Sequence, residues 1–333
     1  MIGRRDALRA LVGASLAACG GTPSPPKPSA PPEVPLPLTP LADLVAAAGV
    51  EWVLALEPRA LAPLLPHLYK LVPEARFQLF SARHGGVDLR ALDEIVIASY
   101  AQSTLALARG ALDPQKVEAA FAARAVRLEP RAVERPAGPD TPIVRLAGEV
   151  GATREQLALY GHQGAGLEVG GDGKHLRVAG LFLEGRLKRA SPVFRSPPLD
   201  VAHQELGPAP ARIFFPGPFT GDASQGLAGL LKAATAVGVA ATPTAAGTLA
   251  VRVVVIGVQG NDVSAAEQRL AATYDTTAAA GIGRLCGLDR PKKPPTVSHT
   301  ELALTLEVEL APGPIATGLH DATEATLPEM LRL

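Results

Sequence analysis

The chain has 333 residues, with Lys+Arg 32 against Asp+Glu 32, no formal net charge, 47% apolar and 19% charged residues. That length supports one large core or two modest ones, and the composition and charge balance argue against a polyanion partner and against bulk disorder. Aromatic residues at 4%, with Trp52 the only tryptophan, leave few stacking platforms for bases or sugars. The two cysteines, Cys19 and Cys286, exclude a disulfide framework and any multi-cysteine zinc or iron–sulfur site.

The chain opens with Arg4, Arg5 and Arg9, followed by the charge-free stretch Ala10 to Ala18. Nine residues are too few to span a bilayer that needs about 20, so this is an export signal and not a transmembrane helix. Its end, Leu16-Ala17-Ala18-Cys19-Gly20, resembles the lipobox of bacterial lipoproteins. The resemblance covers the first twenty residues only. It implies cleavage after residue 18, diacylation of the Cys19 thiol and acylation of the new amino group. Small residues before the cysteine let the peptidase reach an extended backbone. Acyl chains burying tens of methylenes at ~0.8 kcal/mol each anchor a protein permanently without a transmembrane helix. Gly20, where inner-membrane lipoproteins commonly carry Asp, implies passage to the outer membrane. Arg4-Arg5-Asp6-Ala7-Leu8 also resembles a twin-arginine signal, with Ala7 in place of the usual bulky residue, so twin-arginine and Sec export are both open. Loss of residues 1–18 leaves two net negative charges and no polybasic patch.

Residues 19–40 read as a tether. Nine prolines fall between Thr22 and Pro40, a composition that favours a polyproline II stalk of roughly 60 Å. Thr39-Pro40 then starts a short helix through Leu41, Leu44, Val45 and Ala48, ended by Gly49. Trp52 to Leu56 reads as a strand, and Leu61, Leu64, Leu65, Leu68 and Leu71 form a helical stripe before Pro73. Glu94 to Arg109 reads as a hairpin around Ala101-Gln102-Ser103. Asp113-Pro114 caps a helix carrying Val117, Ala120 and Phe121. Strands follow at 142–149, 156–162 and 164–169. The turn Gly170-Gly171-Asp172-Gly173 then leads into a helix over 174–190, with a hairpin over 166–179 as the alternative.

The second half repeats this order. Arg212 to Phe215 is a strand, Gly226 to Ala236 a helix, and Thr248 to Val258 the strongest strand signal in the chain. Asn261-Asp262 opens a helix with Ser264 and Glu267 at capping-box spacing and Ala266, Leu270 and Tyr274 inside. Leu302 to Leu310 alternates as a strand with one wet face, and Ile315 to Leu331 is a last helix. Residues 233–251 carry no charge, but Thr242-Pro243-Thr244 and Gly247 mark a turn, so the reading is helix, turn and strand and not a membrane span. The expected fold is α+β: two similar units of antiparallel sheet with packed helices, at 41–207 and 208–333, after a signal peptide and a Pro-rich linker.

Motifs for chemistry are thin. The seven histidines are never closer than thirteen positions, so no pair forms a local metal site. Gly221-Asp222-Ala223-Ser224-Gln225-Gly226 misses the nucleophile elbow by one position, and Ser224 reads as first-turn polarity beside an Asp222 cap. Gly171-Asp172-Gly173-Lys174 lacks the remainder of a P-loop, and Gly281-Ile282-Gly283 follows a helix where a dinucleotide fingerprint follows a strand. Cys286 has Arg284 and Arg290 nearby but apolar neighbours, and reads as a small buried hydrophobe. Pro216-Gly217-Pro218-Phe219-Thr220-Gly221 reads as a rigid turn.

These observations lead to the expectation of a lipid-anchored cell-envelope protein, held at the outer membrane through Cys19. Its globular part is expected to be non-catalytic, to recognise another envelope component, and to need no cofactor, metal or nucleic acid. A carrier of a lipophilic small molecule is the first alternative, and needs a lined cavity. The second is an envelope hydrolase whose carboxylates, among them Asp93, Glu94, Glu307 and Glu309, converge only in the fold.

Overall fold

A computed structural model describes residues 36–38, 40–135, 141–186, 191–221, 227, 229–257 and 263–324. The expected signal peptide, Cys19 and most of the tether lie outside the described residues, as do Asp222, Ser224, Asn261 and Asp262. No helix among the described residues is long and apolar enough to cross a membrane.

The chain divides into two compact units. The N-terminal unit runs to Arg59 and resumes over Glu74–Ser196; the C-terminal unit takes Ala60–Pro73 and everything from Pro197. From β1 (Val50–Leu56) the chain enters α1 (Leu65–Leu71), a member of the C-terminal unit, and re-enters the N-terminal unit at α2 (Glu74–Arg83). There follow β2 (Glu94–Tyr100), β3 (Ser103–Arg109), α3 (Pro114–Arg124), β4 (Arg127–Leu128), β5 (Ala132–Glu134), β6 (Ile143–Val150), β7 (Thr153–Tyr160), β8 (Gly164–Gly170) and α4 (Lys174–Leu183). Antiparallel pairing orders these strands β1-β2-β3-β8-β7-β6-β4, with β5 also on β6.

The C-terminal unit continues with α5 (Leu199–Leu206), β9 (Ala211–Pro216), β10 (Ala236–Pro243), β11 (Leu249–Ile256), α6 (Val263–Ala279), α7 (Gly281–Leu285), β12 (Lys293–His299), β13 (Ala303–Leu310) and α8 (Pro312–Glu324). Its antiparallel order is β9-β10-β11-β13-β12. This is the path of β1-β2-β3-β8-β7. In each unit a strand is followed by a hairpin, then a helix, then a second hairpin whose last strand pairs with the third. A helix then follows, α4 in one unit and α8 in the other. The two units are therefore similar α+β folds, and β4, β5 and β6 are additions to the first.

Corresponding helices pack alike. The third strand leads into α3, which packs Val117 and Phe121 on Leu146, Leu157 and Leu159 of β6 and β7. Its counterpart α6 turns Ala266, Leu270, Tyr274 and Ala278 onto Leu304, Leu306 and Val308 of β13. Asp113 accepts from the Lys116 amide and starts α3 as its spacing predicts. The end of α2 lies against α3 at Gly85, where a Cβ would sit 2.4 Å from the Lys116 backbone. Only glycine fits that approach, and its φ of +70° also favours glycine. Val53 and Leu105 are fully buried and Ile213 nearly so, whereas Val253 is half-buried beside the α6 cluster.

Several expected elements differ. The helix expected over 41–48 is one 3₁₀ turn, Leu41–Leu44, because Pro40 supplies no side-chain cap and Val45 is already extended. The helix expected from Gly226 to Ala236 is, among the described residues, one 3₁₀ turn, Leu230–Lys232, and Ala236 already begins β10. The uncharged stretch after residue 233 holds the central strand β10 and the turn into β11, where a helix, turn and strand were expected. Its many alanines carry no periodicity, and two flanking strands supply its hydrogen bonds and make it a strand. The helices α2 and α5 and the edge strand β12 were not anticipated; Pro294 and Pro295 disguise β12, and prolines sit comfortably at a sheet edge. The alternative at 166–179 resolves to strand, turn and helix. Leu36 and Leu38, in the expected tether, are buried, so packed chain begins before residue 40. Likewise α5, placed before the expected 207/208 boundary, belongs to the C-terminal unit, where Leu199, Ala202 and Leu206 are buried under β9, β10 and β11.

Candidate functional site

Among the carboxylates singled out from sequence, Asp93 and Glu94 begin β2 and are held by arginines. Arg59 reaches Asp93 at 2.8 Å and Arg109 reaches Glu94 at 3.3 Å. The Leu41 amide also donates to Glu94 at 3.0 Å. Burial raises the Glu94 carboxyl above its usual range, against the pull of that amide and of Arg109. These groups tie the chain entry to the sheet.

Glu307 and Glu309 lie in the other unit, on the wet face of β13. Cross-strand register places Arg252 opposite Glu307 and Lys293 opposite Glu309. Arg252 Nε donates to Glu307 at 2.7 Å, while Lys293 and Thr248 both engage Glu309. Lys293 first, then Thr248, hold the Glu309 carboxyl below its usual range. These pairs line a trough of about 680 Å³ beside the end of α5, whose floor includes Ala240 and Thr242 of β10. Each acid pair is compensated by cations of its own unit.

His84 stacks on Phe80, His299 meets Glu267 at 2.8 Å, and His203 lies 3.0 Å from Arg212. Among the described residues no three His, Cys, Asp or Glu side chains are placed to hold a metal ion. Cys286 is half-buried, and burial pushes its thiol above the usual range, so the neighbouring arginines do not activate it.

The most distinctive constellation was not anticipated from sequence. It lies in the N-terminal unit where the β2–β3 turn, the end of β8 and the start of α4 meet, around a pocket of about 590 Å³. Glu168 is fully buried, on the inward face of β8 in phase with Gly164 and Gly166. Its Oε2 accepts from the Leu176 amide at 2.8 Å, so it caps α4 from the neighbouring strand. Asp172 takes the Lys174 amide at 3.0 Å. Gly173, with φ +76°, makes the turn between them. Glu168 Oε1 has no hydrogen-bond partner among the described residues.

Around this carboxylate stand Tyr100, Ser103, Gly171 and His175. The Tyr100 and His175 rings stack at 3.5 Å, and the Tyr100 hydroxyl donates to the Ala46 carbonyl at 2.9 Å. Burial, then the charge of Glu168, pushes the Tyr100 phenol above its usual range. Burial lowers the pKa of His175, with Glu168 pulling the other way. A Cβ at Gly171 would lie 3.1 Å from Ser103 Cβ and 3.4 Å from Glu168 Oε1, so the glycine keeps this side of the carboxylate uncrowded. One signal was legible: Glu168 breaks an inward phase that otherwise holds only glycine. Its meeting with Ser103 depends on β3–β8 pairing, which sequence spacing does not report.

Comparison with known proteins finds no match: no family model, no curated protein and no solved structure matches this chain.

Proposed function

We propose that the chain is a lipid-anchored cell-envelope protein that binds another envelope component without transforming it, tethered to the outer membrane through Cys19. Anchoring rests on the lipobox-like segment ending at Cys19. The observation that carries recognition is the edge of the N-terminal sheet. Among the described residues β4 and β5 pair only with β6 there, and Val126, Leu128 and Val133 are 77%, 48% and 47% exposed. An edge that offers both backbone groups and apolar side chains suits a protein partner, because the added strand satisfies the first and covers the second.

Cys19→Ser is expected to move the protein from the membrane to the soluble fraction and to abolish incorporation of labelled fatty acid. A photo-crosslinking residue at Val133 is expected to trap a defined adduct in intact cells. Unchanged membrane recovery and labelling of the Cys19 variant would overturn anchoring; absence of any adduct would overturn recognition through this edge.

A further inference from the structure

We propose that the pocket between the β2–β3 turn and the start of α4 binds a primary ammonium group, which donates to Glu168 Oε1 at its floor. The inference stands apart from anchoring and from the β4–β5 edge. It begins with the buried carboxylate, one oxygen of which caps α4 while the other lacks a partner among the described residues. A buried acid left half-satisfied is costly, and a cationic donor offsets that cost through a charge-assisted hydrogen bond.

The surroundings narrow the ligand class. The start of α4 already carries Asp172 on the Lys174 amide and Glu168 on the Leu176 amide, so an anion arriving there meets like charge and finds those two amides used. Guanidinium fits poorly, because its fork needs two parallel acceptors and Glu168 offers one free oxygen. An ammonium suits the geometry. Glu168 and Ser103 both line the pocket beside Gly171, whose missing side chain keeps the approach to Glu168 Oε1 clear, since a Cβ there would lie 3.4 Å from that oxygen and 3.1 Å from Ser103 Cβ. The carbon substituent of the ammonium leaves past Gln102, Asp172 and Lys174, whose side chains are exposed and rotate without backbone movement. Lys174 is the one cation lining the pocket, and it sits at the mouth.

Butylammonium, titrated into the full chain at neutral pH, provides the test, with the Leu176 amide and His175 ring resonances as readouts. Saturable shifts are expected with butylammonium, and none with pentanol, which lacks the charge, or tetramethylammonium, which cannot donate. Glu168→Gln keeps an oxygen for the Leu176 amide and is expected to weaken binding about tenfold or more. Lys174→Ala removes the like charge at the mouth and is expected to tighten binding about threefold. Because Lys174 is exposed, that variant keeps the proposal testable if Glu168→Gln fails to fold. Equal shifts with pentanol, unchanged affinity in Glu168→Gln, unchanged or weaker affinity in Lys174→Ala, or no saturable shift would each overturn the proposal. None of these outcomes bears on Cys19 or the β4–β5 edge.

Discussion

His84 shows how one half-buried ring ties folding to pH. It stacks on Phe80 with ring centroids 4.2 Å apart, and burial first, then Arg124 and Arg83, lower its pKa from 6.5 to about 4. Its folded-state pKa lies below its unfolded one, so between these values the unfolded chain binds a proton that the folded chain refuses. Stability is therefore whole above about pH 6.5, falls with pH through that window, and loses no more from this group below about 4. Partial exposure of the ring limits the effect to about 1 kcal/mol. Urea unfolding at about pH 7 and about pH 5 should show a steeper loss for the wild type than for His84→Gln. Equal losses would mean that the arginines and the burial do not act on this ring as described. Glu168 poses the complementary case, an acid kept inside because a helix end needs its oxygen.

Among the elements, the short stretch before the first strand illustrates how composition misleads. Proline density marks residues 19–40 as a tether, yet Leu36 and Leu38 are 4% and 2% exposed. The Leu38 side chain lies against Gly164, at the start of β8. Two buried leucines contribute about 2 kcal/mol each, so a chain beginning at residue 40 should unfold at a lower urea midpoint than one beginning at residue 35. Equal midpoints would show that this contact contributes nothing. The wet face of β13 illustrates the opposite, since its alternation was legible as Leu302 to Leu310 and its acids do face the trough. Which cations they meet was not legible, because Arg252 and Lys293 come from two other strands.

In the whole molecule, the repeated path β1-β2-β3-β8-β7 and β9-β10-β11-β13-β12 coexists with a discontinuous division of the chain. The C-terminal unit includes α1, which packs on α8. A fragment starting at Pro197 lacks that helix and leaves part of α8 uncovered. It should melt below, and less cooperatively than, the same fragment preceded by Ala60–Pro73 through a flexible linker. Identical melting of the two fragments would show that α1 is not part of that unit's core.

The sequence by itself determined the α+β class, the likeness of the two halves, the Asp113 cap, the inner face of α6 and the alternation of β13. Each follows from local periodicity or from a side chain reaching its own neighbours, which a linear reading contains. Only the tertiary structure decided that Ala236–Pro243 is a central strand, since alanine is apolar enough for either state and hydrogen bonds from β9 and β11 settle it. It alone placed α1 with the C-terminal unit and set Glu168 behind Ser103 at the start of α4. Those outcomes depend on which strands become neighbours, and pairing between distant segments is a property of the whole chain's packing that local periodicity does not carry.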